Sequence, residues 1–201
     1  MRITVDVTRP TRAFLRTLLI CLLAPAAVAL AQDNTPTAAV ASPANPLSAH
    51  TRLVYRAMKA ILLRSAEKMP EENFGFKPTD SVRSFGQVVG HVADSQYTFC
   101  SSVLGEKRPA LKIEQTTTSK ADLIAALKDA FAYCGKAYDG VTDASATEMV
   151  KLMGGDSPRL GALTANSLHT IEHYGNLVTY LRMKNIVPPT SEPEFMQQMK
   201  K

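Results

Sequence analysis

Four stretches of about twenty residues carry apolar side chains at helical steps of three and four, and each ends where a helix is readily broken. The first bears Leu53, Val54, Met58, Ile61, Leu62 and Ala66 and is stopped by Pro70. The second opens on Ser84-Phe85-Gly86-Gln87, a capping box in which the Ser and Gln side chains each satisfy a free backbone N–H of the other's residue. It then places Phe85, Val88, Val89, Val92, Phe99 and Val103 on one stripe and ends near Gly105. The third starts near Ser119, runs through Leu123, Leu127, Phe131, Cys134 and Tyr138, and closes at Gly140. The fourth begins near Pro158, which suits a first helical turn, and passes Leu160, Leu163, Ile171, Val178 and Leu181 to Asn185, beyond which Pro188-Pro189 forbids continuation. No segment alternates convincingly as a strand does. An amphipathic helix must bury its stripe, so the expectation is an all-α four-helix bundle over residues 47–188. Its connections are long, about 14, 14 and 18 residues after Pro70, Gly105 and Gly140, and residues 189–201 read as a loose C-terminal tail.

The chain's opening has a different character. Residues 1–16 hold four arginines and one acidic residue, and an apolar run from Leu18 leads to Ala29-Leu30-Ala31. A basic start, an apolar middle and small residues at an A-x-A site describe a secretory signal peptide over residues 1–31. Residues 32–46, rich in Ala, Pro, Thr, Asn and Ser, read as a flexible leader. The expected location is therefore secreted or periplasmic, without stable membrane insertion once the signal is cleaved. Cleavage would take the 23 basic and 18 acidic residues to 19 and 17, so the net charge of +5 becomes +2. No basic run with interleaved aromatics survives, which makes nucleic acid a poor partner; a small-molecule substrate is expected, and a homodimer is left open. Cys100 and Cys134 would enter an oxidising compartment where a disulfide is allowed, and they are too few to suggest a thiolate metal site.

His169 and His173 stand four residues apart in the fourth segment, so both imidazoles project from one face of a helix. This is the spacing with which a helix offers two nitrogen ligands to one metal ion. At roughly 100° per residue the pair lies about 140° from the centre of the Leu/Ile/Val stripe, on the side of Ala162, Asn166 and Tyr180. Such a pair either lines a polar cleft or faces water. His91 lies on the flank of the second stripe between Gly90 and Ala93, small residues that let another helix come close. His50 sits in a polar context and reads as a surface residue. Three imidazoles suit Zn²⁺, Ni²⁺ or Fe²⁺, and with only three protein ligands the site would keep an open position.

The run Ser84-Phe85-Gly86-Gln87-Val88-Val89-Gly90-His91-Val92-Ala93-Asp94, the pair in His169-x-x-x-His173-Tyr174-Gly175-Asn176, and Tyr180-Leu181-Arg182 together resemble the DinB-like (damage-inducible) superfamily over about 140 residues, Leu47 to Pro188. The resemblance implies a four-helix bundle with non-sequential helix directions and puts the ligand roles on His91, His169 and His173. Many relatives carry Arg-Gly-Gln after the second histidine of the pair, where Tyr174-Gly175-Asn176 stands here, a departure that bears on the surroundings of the metal more than on its ligands. Similar proteins include thiol S-transferases using bacillithiol or mycothiol and a maleylpyruvate isomerase.

The expected function is a metal-dependent hydrolase or thiol transferase, the alternative being a non-catalytic metal- or ligand-binding bundle. Asp94, Glu172, Tyr174 and Tyr180 are candidate helpers, and none is singled out as the base. No zincin motif is present, since Thr170 stands where H-E-x-x-H needs glutamate. The long second connection and the resemblance both lead to parallel second and third helices. That arrangement puts Cys100 and Cys134 at one end of the bundle and leaves open whether they bond.

Overall fold

The structure, a computed structural model, describes residues 44–199. Its frame is four long helices, α1 (Pro46–Lys68), α2 (Phe85–Leu104), α4 (Lys120–Gly140) and α5 (Arg159–Met183), with a four-residue helix α3 (Ile113–Thr116) between α2 and α4. Their ends follow local chemistry. The Ser84/Gln87 capping box forms, with Gln87 N–H donating to Ser84 Oγ at 3.2 Å and Ser84 N–H to Gln87 Oε1 at 2.8 Å, and α2 stops at Gly105 with φ 70°. Ser119 caps α4. At the start of α1 the cap is remote: Asp143, just beyond α4, accepts from the N–H groups of Leu47 and Ser48 at 3.0 and 2.8 Å. No helix among the described residues is long and apolar enough to cross a membrane.

Helix directions follow from the pairings. Gly86 in the first turn of α2 lies against Leu123 in the first turn of α4, and toward their far ends a disulfide joins Cys100 to Cys134, with Cα atoms 5.2 Å apart. Thus α2 and α4 run parallel. Helix α1 opposes α4, with Arg52 bonded to the carbonyl of Tyr138 and Glu67 paired with Lys128. Helix α5 opposes α2, with Tyr180 reaching Arg83 and Arg159 reaching Val103. The parallel pair has a consequence for function. A chain leaving the end of α2 must return along that helix to begin α4, and the return leg carries α3 past His91.

The core holds Leu62, Met69, Phe85, Val88, Leu123, Leu127, Phe131, Leu163, Leu177 and Leu181, all nearly or fully buried. A polar seam runs through it as well. Gln96, Asn166, Ser167 and Thr170 are buried; Asn166 Nδ2 donates to Gln96 Oε1 at 3.0 Å, Gln96 Nε2 to Thr170 Oγ1 at 3.1 Å, and the Tyr138 hydroxyl to the Leu163 carbonyl at 2.6 Å. Buried polar groups survive only when paired in this way.

Two expectations are corrected. The connection from Gly140 is not structureless: Met149–Leu152 (β1) and Gly155–Pro158 (β2) form an antiparallel hairpin around Met153-Gly154, both at positive φ. It escapes a pattern search because its strands have four residues each and Gly155-Asp156-Ser157-Pro158 lacks apolar alternation. The tail beyond Pro188 is not loose either. A 3₁₀ turn (Pro189–Ser191) leads into α6 (Pro193–Gln198), Glu192 pairs with both Lys68 and Arg64 of α1, and Thr190 Oγ1 lies 2.7 Å from the Tyr174 hydroxyl. These contacts, together with Phe195 packed against the core, dock it. The proposed signal and leader, except for the last leader residues, lie outside the described residues.

Candidate metal centre

His91 from α2 and His169 and His173 from α5 converge. One ring nitrogen from each lies within 4.8 Å of the others, and His169 Nε2 stands 3.2 Å from His91 Nε2 and 3.2 Å from His173 Nε2. Two nitrogens bound at 2.0–2.1 Å to one tetrahedral ion are about 3.3 Å apart. His50 is exposed on α1 and takes no part.

The hydrogen-bond inventory explains why these contacts are not a sufficient network in themselves. His91 Nδ1–H donates to Glu114 Oε2 at 2.8 Å, and His173 Nδ1–H to Asn176 Oδ1 at 3.1 Å. In the neutral rings both outer Nε2 atoms are then acceptors. His169 Nε2 can donate to only one of them, which leaves an acceptor facing an acceptor at 3.2 Å. A single cation among the three lone pairs satisfies all of them. His169 Nδ1 is itself buried without a partner, beside the Phe99 ring. The donor set and its spacing fit one divalent ion.

The electrostatics agree. Burial, then the charges of His173, His91 and Arg83, push His169 down to about 4. Burial also lowers His173, against the Asn176 hydrogen bond. Rings that resist protonation keep their lone pairs for a metal. Burial would raise the Glu114 carboxyl, but hydrogen bonds from Arg83 and His91 together with their charges outweigh it and hold Glu114 below the usual range. In metal-free protein, His169 changes from 6.5 when unfolded to about 4 when folded. Between those values the unfolded chain binds a proton that the folded chain refuses, so stability must fall as pH drops through that window. Partial solvent access limits the loss to about 1–2 kcal/mol. The expected result is a lower urea midpoint at pH 5 than at pH 7.5, with a shallower dependence in His169→Gln.

Glu114 reaches His91 because of two other residues. Asp94 accepts from the N–H groups of Ile113 and Glu114, both at 3.0 Å, fastening α3 to α2. Gly90 lets α3 come this close, since a Cβ there would sit 2.8 Å from Glu114 Cα. Backbone cannot yield as a flexible side chain does. Gly90→Ala should therefore cost about 1–3 kcal/mol of stability and draw Glu114 off His91, lowering zinc affinity about 10–100-fold. Urea unfolding and competitive zinc titration would measure the two effects.

A sequence-family profile described as the DinB superfamily matches residues 55–177, more than half of the chain. The chain belongs to the DinB superfamily. Solved structures of similar fold include a DinB-like protein from Bacillus cereus, 15% identical with a TM-score of 0.60, over 67% of this chain and 91% of that one. A DinB-like protein from Bacillus subtilis is 20% identical with a TM-score of 0.56, over 70% and 92%. A variant of a mycothiol-dependent maleylpyruvate isomerase is 15% identical with a TM-score of 0.56, over 65% and 60%. No curated protein matches the sequence.

In this DinB-superfamily bundle the expected apolar face of the fourth helix is corrected in part: Leu163 and Leu181 are buried and Leu160 and Val178 pack against the core, as expected. Ile171 and Leu168 are exposed, at 48% and 62%, whereas Asn166, Thr170, His173, Leu177 and Tyr180 are buried. The buried surface of the helix therefore extends round to the histidine side. The apolar count misled because the interior here is partly polar, with the seam and the metal site supplying the hydrogen bonds. Of the candidate helpers, Asp94 is spent on α3, Glu172 is exposed, and Tyr174 bonds the tail at Thr190. Tyr180 alone lines the cleft beside His173. The sequence reading missed Glu114, Arg83 and Asn176. Gly90 signalled that some element approaches α2, but nothing in Ile113-Glu114-Gln115-Thr116 marked it as that element.

Proposed function

We propose that His91, His169 and His173 hold one divalent ion and that this DinB-superfamily chain is a metal-dependent enzyme of hydrolase or thiol-transferase type acting on a small molecule. The observation that carries this is the convergence of three lone pairs at the edge of a cleft of about 600 Å³ lined by Arg83, Gln87, Glu114, His173, Asn176 and Tyr180. When bound, such an ion lowers the pKa of a coordinated water or thiol and supplies a nucleophile at neutral pH. Glu114 and Asn176 fix the His91 and His173 tautomers by holding their Nδ1 protons. Burial keeps His169 neutral. Tyr180 donates its hydroxyl proton to the Arg83 carbonyl at 2.8 Å, which fixes the cleft wall.

The maleylpyruvate isomerase of similar fold is mycothiol-dependent, and this favours a thiol. Export favours water, because low-molecular-weight thiols are cytosolic reagents. The N-terminal pattern supports export, as does the buried Cys100–Cys134 disulfide, a bond that persists in oxidising compartments. N-terminal sequencing of periplasmic protein should then begin at or near Gln32. Cobalt-loaded protein distinguishes the chemistries. A sulfur-to-cobalt charge-transfer band on adding a small thiol, with S-transfer to an aryl chloride, supports the transferase. Metal-dependent ester hydrolysis unaffected by thiol supports the hydrolase. Metal binding with neither activity would leave the non-catalytic bundle.

A further inference from the structure

Arg83 is unusual among the cations of this surface. Its backbone carbonyl is held by the Tyr180 hydroxyl at 2.8 Å, and its Nε donates to Glu114 Oε1 at 2.8 Å. With its backbone anchored and its guanidinium held at Nε, it makes no bond through its two terminal amino groups among the described residues, and its side chain is 44% exposed. It lines the cleft with His173. Its charge also presses His169 and His173 toward their neutral forms. A guanidinium this close to a cation site opposes loading of a divalent ion. Glu114 offsets one positive charge, and the remaining sum, Arg83 and the ion against one carboxylate, is about two units positive. The neighbouring cations do not share this position: Lys77 pairs with Asp80 at 3.3 Å, and Lys184 lies over the Phe76 ring at 4.0 Å.

We propose that Arg83 is the specificity residue of this cleft, and that the substrate is a small oxyanion, a carboxylate or phosphate, whose anionic group docks on the two terminal nitrogens of Arg83 while the rest of the molecule faces the metal. The proposal rests on the three-histidine metal site. Its chemistry is that of a pre-oriented fork: two parallel N–H donors match two oxygens of a planar carboxylate or a phosphate. The Glu114 bond to Nε orients the guanidinium, and the Tyr180 bond to its carbonyl anchors the backbone, so less freedom is lost on binding than for an unheld arginine.

The test uses the mature protein loaded with Co²⁺, whose visible spectrum reports ligands near the metal. Cobalt loading is measured first; wild-type protein that takes up none overturns the metal site and this proposal together. The loaded protein is then titrated with acetate, with phosphate, and with imidazole as a neutral metal ligand. Arg83→Gln should weaken the preferred oxyanion at least about tenfold and change imidazole affinity less than about twofold. Arg83→Lys should restore part of the loss, since it returns the charge but not the fork. The stronger of acetate and phosphate identifies the class of anion. Unchanged oxyanion affinity in Arg83→Gln, with cobalt still bound, would overturn the proposal and leave the metal site standing. An equal loss of imidazole would also overturn it, because Arg83 would then act through Glu114 on the metal.

Discussion

Replacing His169 with alanine should abolish tight metal binding and leave a folded bundle. His169 is the middle member of the three, the ring whose Nε2 is 3.2 Å from both of the others. Without it the site keeps two imidazoles from different helices, and two ligands do not define a closed divalent site. The loss should exceed the roughly 100-fold that an outer partner such as Glu114 is worth. The fold should persist because His169 adds little to the apolar core and its Nδ1 is already unpaired. Competitive chelator titration measures the affinity, and circular dichroism checks the helices. Wild-type affinity in His169→Ala would remove the basis for the site. His173→Ala should behave similarly, and Glu114→Gln should fall between those variants and wild type, since it weakens the holds on His91 and Arg83 without removing a ligand.

The second large effect is on stability. The Cys100–Cys134 bond closes a loop with a sequence separation of 34 that contains the whole return leg and α3. Cross-linking a loop of this length removes about 3–4 kcal/mol worth of chain entropy from the unfolded state. The Cys100→Ala, Cys134→Ala double variant should therefore melt about 6–15 °C below wild type. Both sulfurs are buried, so the variant is cleaner than reductant, which must first open the bundle. Because the bond closes the loop that contains residues 105–118, the variant should also show faster amide exchange there. Equal melting temperatures would mean that the helices gain nothing from the cross-link.

How far the sequence carries depends on what each residue answers to. Helix boundaries are plain because Ser84, Gly105 and Ser119 act through bonds within a few residues and Pro158 through its own fixed φ. The parallel direction of α2 and α4 followed from the length of one connection, which is also a local quantity, together with the family resemblance. The three histidines could be paired off because the chain has only four. Glu114 could not be found in this way. Its role depends on Asp94 and Gly90, twenty and twenty-four positions away, and on a four-residue helix with no periodicity of its own. The inner face of α5 was misjudged for a related reason. Asn166, Thr170 and His173 are buried by partners on other helices, Gln96, Tyr138 and His91, and hydrophobicity alone ranks such residues as outward.

The most direct test of the metal centre is X-ray absorption spectroscopy on mature protein purified without a histidine tag, alongside elemental analysis. The expected result is one divalent ion per chain with about three imidazole nitrogens at 2.0–2.2 Å and one exchangeable oxygen ligand from water, the imidazole signal falling in His169→Ala. Protein that takes up no stoichiometric metal, or a metal whose imidazole signal is unchanged in that variant, would contradict the assignment of His91, His169 and His173.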